Sequence, residues 1–570
     1  MLQLFKGRPF GCWLCALSCV FTPAGFSTEV EPNSLSLDRP NVLIILMDDF
    51  GIGQFAPMIE DLELGDIDPG LVKYAIAADT PYSPAAALEA ARLAMPFMET
   101  LADAGILFNR AFSASSLCAP SRQGLLTGNN PIRWGAYRNI DINICGLPKG
   151  RSLVPLLQEQ GYRTGFIGKW HVGSRDHSMR DEIKAAGGTK EDVVNSGYWG
   201  SVIERDHPLN HGFDYAFFYN LWECQYYNAR NLWENREYTG VQPEYNTDLF
   251  TRKALEFIDK SVSAGDPFFV ELALHAVHIP LDVDAPEQYR NQINTGDAAV
   301  DRFYSHVYAV DQSVKRIVDH LKASGEWENT VLLFTSDNGA TCKIGKGDLS
   351  LIPGNATHRG HKGQYFLGGV RVPLLMVGPI LNVSGVEIER MVSLMDVLPT
   401  ALELAGAEVP ANIDGKSLLP LLNDPEGPHH KSLYFAGIHA PAWGYTAQGV
   451  IGDAEARRDL FPVAWAVITD DHILRFVGAL NPGLLYDSPT GQASYHELYD
   501  HVNDPPEAYN LFTTHPELAQ RMMADYQVFA ADLPPPHKWN ERRWSELMPD
   551  SNPLRSTSWQ NLPAPGFEDE

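Results

Sequence analysis

The chain has 570 residues, 44% hydrophobic and 20% charged, proportions that exclude a fibrous, membrane-embedded or mostly disordered protein and leave room for a large core. With 44 Lys and Arg against 71 Asp and Glu, the net charge is -27, so no general nucleic-acid surface is expected and an anionic substrate must meet a local cluster of positive charge. Only 7 cysteines occur, too few for a disulfide scaffold.

From the N-terminus, Lys6 and Arg8 precede an apolar run from Gly11 to Phe21 and then the small residues Ala24, Gly25 and Ser27, the layout of a cleavable secretory signal over residues 1–27. An anchoring helix is the alternative, but the run falls short of the roughly 20 residues that span a bilayer, and Pro23 interrupts it. Cys19 is a weaker lipid-attachment site because Ala16 stands where a larger aliphatic residue is usual. No later segment reads as membrane-spanning. A secreted or periplasmic protein without stable membrane insertion is expected.

Four apolar runs read as buried strands, and each ends in chemically capable residues. Asn41 to Met47 stops at Asp48 and Asp49, and Thr164 to Ile167 leads to Lys169, Trp170 and His171. Phe268 to Leu274 leads to His275 and His278, and Thr330 to Thr335 to Asp337 and Asn338. Helical spacing lies between them, from Leu153 to Gln160 and from Phe303 to Ser324, each closed by a glycine. Alternating strands and helices predict an α/β fold with a large, mostly parallel sheet sandwiched by helices, and ligands in such folds bind beyond the carboxyl ends of the strands. Singly, an acidic pair after a strand is as easily a turn or a helix cap; jointly, these residues predict one crevice.

Ser116 to Gly128 reads SLCAPSRQGLLTG. Pro120 suits a first helical turn, so Cys118 sits at a helix N-terminus that favours an anion, with Arg122 one turn on. On these grounds Cys118 is either a reactive thiol of lowered pKa or a buried one.

Cys118-Ala119-Pro120-Ser121-Arg122 with Thr127-Gly128 resembles the signature of the formylglycine-dependent sulfatases of the alkaline phosphatase superfamily. The resemblance extends over roughly residues 38 to 515: Asp48-Asp49, Gly168 to His171, His275-x-x-His278-x-Pro280, Asp337-Asn338-Gly339, Lys362-Gly363, Gly368 to Pro373, Asp396 to Thr400, Asp414 to Leu418, and Leu498 to Asp500 with Asn510-Leu511. Leu367 departs from it, standing where the family often has an acidic residue.

The resemblance implies an alkaline-phosphatase-like fold and a sulfuric ester hydrolase in which a formylglycine-generating enzyme converts Cys118. It makes Asp48, Asp49, Asp337, Asn338 and the modified Cys118 ligands of one metal ion, and an all-oxygen shell suits Ca2+ better than Mg2+, which usually retains several waters. It makes Arg122 and His171 the residues that hold and deprotonate the formylglycine hydrate, Lys169 and Lys362 the cations on the sulfate oxygens, and His278 the acid that protonates the leaving alcohol. Among Cys145, Cys224 and Cys342 one disulfide is expected at most.

Two long segments interrupt these landmarks, Gln54 to Pro96 and Asp176 to Tyr245. The second carries Tyr219, Trp222, Tyr226, Tyr227, Trp233 and Tyr238, which either stack on sugar rings, Trp222 and Tyr226 foremost, or form a small core of their own. Arg359 and His361 are candidates for a second anionic group. The catalytic part is expected over 38–430, a smaller α+β subdomain over 431–533, with runs at Ala464 to Thr469 and Ile473 to Phe476 and a helix from Pro516 to Phe529, and a Pro/Trp-containing tail over 534–570. The expected substrate is a sulfated, polysaccharide-derived carbohydrate. The alternatives are a formylglycine-dependent phosphonate monoester or phosphodiester hydrolase and an inactive sulfoglycan-binding module.

Overall fold

The computed structural model describes residues 39–67, 72, 75–76, 81–341, 352–437, 464–478 and 494–534, all within one compact unit running from Leu37. The signal, Cys342 and the tail tryptophans fall outside them. No helix among the described residues is long and apolar enough to cross a membrane.

The strands are β1 (Asn41–Met47), β2 (Ile106–Phe108), β3 (Ala111–Phe112), β4 (Arg163–Lys169), β5 (Tyr215–Tyr219), β6 (Trp233–Glu234), β7 (Glu237–Tyr238), β8 (Phe268–Ala273), β9 (Thr330–Ser336), β10 (Leu374–Val377), β11 (Val386–Ile388), β12 (Val392–Ser393), β13 (Leu433–Gly437), β14 (Ala464–Ile468), β15 (His472–Gly478) and β16 (Ser494–Asp500). A ten-stranded sheet has the order β11-β2-β10-β9-β1-β8-β4-β5-β6-β7. Its centre, β9-β1-β8-β4-β5, is parallel, and antiparallel pairs occur on both flanks. The four strands read from sequence are adjacent in that centre, so their polar ends meet along one edge.

Alternation along the parallel strands separates two apolar layers. Leu43, Ile45 and Met47 of β1 face α1 (Pro96–Asp103), α4 (Asn246–Ala264) and α5 (Ala298–Ser324). Val42, Ile44 and Leu46 face α2 (Cys118–Thr127), α3 (Val154–Glu159) and α6 (Val397–Leu404). The helix expected from Phe303 starts earlier, because Asp297 caps it by accepting from Ala299 N and Val300 N. The second sheet, β13-β14-β15-β16, is antiparallel throughout. Trp465, Val467, Leu474 and Phe476 pack against α7 (Pro516–Ala530) on one face, and Ala464, Ala466 and Ile473 pack against Tyr365, Leu367 and Val370 on the other.

Candidate active site

Cys118 begins α2 and is fully buried, its Sγ 3.9 Å from Asp49 Oδ1. Burial pushes its thiol up to about 12 despite Lys169 and Lys362 nearby, which favours the buried of the two readings: desolvation outweighs the helix N-terminus and both cations. The helix fixes Arg122 one turn on, where Nε lies 2.9 Å from Asp337 Oδ2, Nη1 donates to Lys169 O at 2.8 Å and Nη2 is 3.8 Å from Asp48 Oδ2.

The strand ends supply the rest. Lys169 Nζ donates to Asp48 Oδ2 at 2.6 Å. Gly168 permits this approach, since a Cβ there would lie 1.9 Å from Ala273 O of β8. Lys362 Nζ and Asn338 Nδ2 donate to Asp49 at 2.7 Å and 2.8 Å. Asp49 and His171 hold left-handed backbone at φ 59 and 52, a conformation costly outside glycine and concentrated at functional sites. His278 Nε2 stands 3.7 Å from Asp49 Oδ2, and its Nδ1 lies 3.0 Å from Ile279 O. His275 Nδ1 lies 2.9 Å from Tyr219 OH. The ten residues expected for catalysis and metal binding thus gather at one buried place.

The charges show what the cluster suits. Burial and then Asp48 raise Asp337. Burial alone would raise Asp49, but Lys362, His278 and Lys169 outweigh it and hold the carboxyl low. Burial, then Lys169, push His278 down to about 3 and His171 well below the ordinary imidazole value. Asp48 Oδ1 and Asn338 Oδ1 are buried without hydrogen-bond partners. Such orphaned acceptors beside Asp49 and Asp337 fit a hard divalent cation, and Asp48, Asp49, Cys118 and His278 bring ligand atoms within 4.8 Å of one another.

The recognition candidates divide. Tyr226 is corrected: it is 1% exposed, stacks on Tyr245 and donates its hydroxyl to His278 O, so no ring face is available to a sugar. Trp222 is 43% exposed, just past the carboxyl end of β5. His361 is buried and pushed down to about 4, which leaves it neutral and no anion-binding cation. Arg359 donates to Glu507 O and lies 4.4 Å over Phe366, fastening a loop. Cys145 and Cys224 are free thiols, so they are not paired with each other, and Cys342 lies outside the described residues. Sequence reading missed Arg175, which lies 4.8 Å over Trp199 and 6.0 Å over Trp222 with a buried, unpartnered Nη1; as a lone arginine in a polar segment it gave no signal.

The strand-end cluster lies on a helix-covered parallel sheet where a hard anionic ester could be held, and residues 40–407 match the family model described as Sulfatase. The chain belongs to the sulfatase family and is a sulfuric ester hydrolase. It is 30% identical over 547 residues to the uncharacterized sulfatase YdeN of Escherichia coli (strain K12), covering 92% of this chain and 90% of that one. It is 29% identical over 435 residues to N-acetylgalactosamine-6-sulfatase of Mus musculus, covering 70% and 69%. The crystal structure of Ps i-CgsB in complex with k-i-k-neocarrahexaose shares the fold at TM-score 0.65 and 24% identity, covering 89% of this chain and 97% of that one.

Proposed function

We propose that this enzyme is a secreted or periplasmic carbohydrate sulfatase, exported by residues 1–27, in which Cys118 is converted to formylglycine by a formylglycine-generating enzyme. The observation that carries the reading is the position of Cys118, at a helix N-terminus against Asp49, with Arg122 on the same helix paired to Asp337. A thiol held protonated by burial is a poor nucleophile. Formylglycine would supply a geminal pair of hydroxyls for attack on sulfur and for later release of sulfate, and a single Ca2+ would be held by Asp48, Asp49, Asp337, Asn338 and that residue and would supply positive charge to the sulfate.

The chain's own residues do the remaining work. Arg122 orients the modified side chain and His171 accepts its proton. Lys169 and Lys362, which reach the same place through Asp48 and Asp49, neutralise sulfate oxygens as charge shifts during attack. His278 delivers a proton to the leaving alcohol. Trp222 and Arg175, at the same end of the sheet, offer an aromatic face and a guanidinium to a sugar ring and its anionic substituents. The sugar-complexed neighbour and the galactosamine sulfatase support a carbohydrate substrate.

The test is mass spectrometry of the Cys118 peptide together with turnover by Cys118→Ser. Formylglycine in the native peptide and loss of multiple turnover in the serine variant are expected, because serine lacks the second oxygen that expels sulfate. Full turnover by Cys118→Ser sinks the mechanism, and faster cleavage of phosphodiesters than of sulfate esters would move the substrate class.

A further inference from the structure

Away from the catalytic edge, three buried side chains converge. Asp396 precedes α6, and His429 and His430 lie just before β13. His429 Nε2 lies 3.1 Å from Asp396 Oδ2, and His430 Nε2 lies 2.8 Å from Oδ1 and 3.0 Å from Oδ2. Their side chains are 0%, 4% and 6% exposed. The imidazoles meet edge to face, centroids 4.7 Å apart.

The carboxylate is already held by backbone. Ser393 N donates to Oδ2 at 2.7 Å and Lys416 N to Oδ1 at 2.8 Å. A carboxylate has about four lone-pair positions, so these N-H groups leave the remaining ones facing the two Nε2 atoms. Hydrogen bonding explains each contact singly. It leaves unexplained why two adjacent imidazoles both direct Nε2 at one carboxylate. Around a tetrahedral ion with bonds of roughly 2.0–2.2 Å, ligand atoms stand about 3.3–3.6 Å apart, so the three side chains need move apart by only a few tenths of an ångström to admit one.

We propose that Asp396, His429 and His430 form a structural site for a borderline divalent cation of the zinc class. Two imidazole nitrogens and one carboxylate oxygen match the donors such ions prefer over calcium, and the backbone N-H groups act as the outer layer that orients a ligand. The site joins two regions. Lys416 follows Asp414 and Gly415, whose N-H groups close the end of α2 on Gly128 O at 3.0 Å and 2.8 Å. His430 leads into the first strand of the second sheet. An ion here fastens the C-terminal end of the helix that begins with Cys118 to the start of that sheet.

The experiment uses the full chain, stripped with EDTA and kept in excess Ca2+ to fill the oxygen-rich site, then titrated with Zn2+ by calorimetry and soaked as crystals for anomalous maps at the zinc edge. Expected are one zinc peak within about 2.2 Å of both Nε2 atoms and an Asp396 oxygen, and a higher Tm with Zn2+. His430→Gln should weaken zinc binding by at least the roughly 10–100-fold that loss of an outer partner costs. Absence of a peak between these three side chains, or zinc affinity unchanged in a folded His430→Gln protein, overturns the site and leaves a hydrogen-bonded triad. If His430→Gln does not fold, the wild-type anomalous map alone decides.

Discussion

Of the roles proposed for single residues, that of His278 as acid is the most specific. An unactivated sugar alcohol needs a proton as the S-O bond breaks, whereas an activated phenol leaves as an anion. His278→Ala should therefore slow a sulfated sugar by roughly 10²- to 10⁴-fold and an aryl sulfate markedly less; equal losses on both would assign it to sulfate binding and make His275 the candidate acid. Burial and Lys169 hold the imidazole down to about 3, so its acid form thins as pH rises. In the wild type kcat/KM on the sugar should fall with rising pH, and the alanine variant should lose that slope. Glu271 gives a second prediction. In β8 it pairs with Ile44 and Phe166, whose side chains lie in the layer under α2, and its Oε2 has no partner. Burial raises its carboxyl from 4.5 to about 7, against the pull of Arg122. A raised acid is tolerated while protonated, so the stability it permits is full below 4.5 and lost as pH rises through about 7, roughly 3 kcal/mol in all. Glu271→Gln should remove that decline, so denaturation midpoints of the two proteins should diverge between pH 5 and about 8; parallel curves would show that the carboxyl is not raised.

At the scale of elements, one helix start is secured by a neighbour rather than by its own sequence. The helix α1 has Met95 before it, which cannot cap. Asp311 of α5 accepts instead, its Oδ1 2.9 Å from both Phe97 N and Met98 N. Asp311→Ala should cost about 1–3 kcal/mol by leaving two buried N-H groups without an acceptor, with Asp311→Asn losing less because an amide oxygen still accepts. Urea unfolding measures both, and an alanine variant as stable as wild type would show that water replaces the carboxylate. Among the elements with the strongest local patterns, β1, β8 and β9 were legible as apolar runs of strand length and α5 from its helical period. The short strands β2, β6, β7 and β11 were not, because two or three residues carry no period and form only where a neighbouring strand offers hydrogen bonds.

Across the molecule, the small sheet supports the catalytic edge of the large one. Arg475 of β15 lies buried between Glu497 and Glu507, 2.9 Å from Glu507 Oε2 and 3.6 Å over the Phe366 ring. Glu507 Oε1 in turn accepts from Leu367 N at 2.7 Å. Leu367, the departure from the family pattern, is thus an apolar side chain packed on the second sheet whose N-H meets a carboxylate from a distant segment. The loop so clamped carries Lys362. Arg475→Met leaves two buried carboxylates unpaired, so it should destabilise by about 3–5 kcal/mol and raise KM for a sulfated substrate as Lys362 loosens. A lowered Tm with unchanged KM would show that Asp49 alone positions Lys362.

The sequence by itself placed most of the expected site residues, because Asp48, Asp49, Lys169, Asp337 and Asn338 stand at strand ends and Cys118 starts a helix, and a run of β-branched and aliphatic residues fixes where each strand ends. Parallel pairing then left the four strand ends no choice but to meet. Tertiary structure alone decided what depends on which layer covers a side chain: that Tyr226 is walled in by Tyr245 and His306, that Glu271 lies without a full set of partners, that Arg175 reaches Trp222, and that Asp396 meets two histidines more than thirty residues away. Burial and charge pairing are properties of neighbours, and these neighbours are distant in the chain.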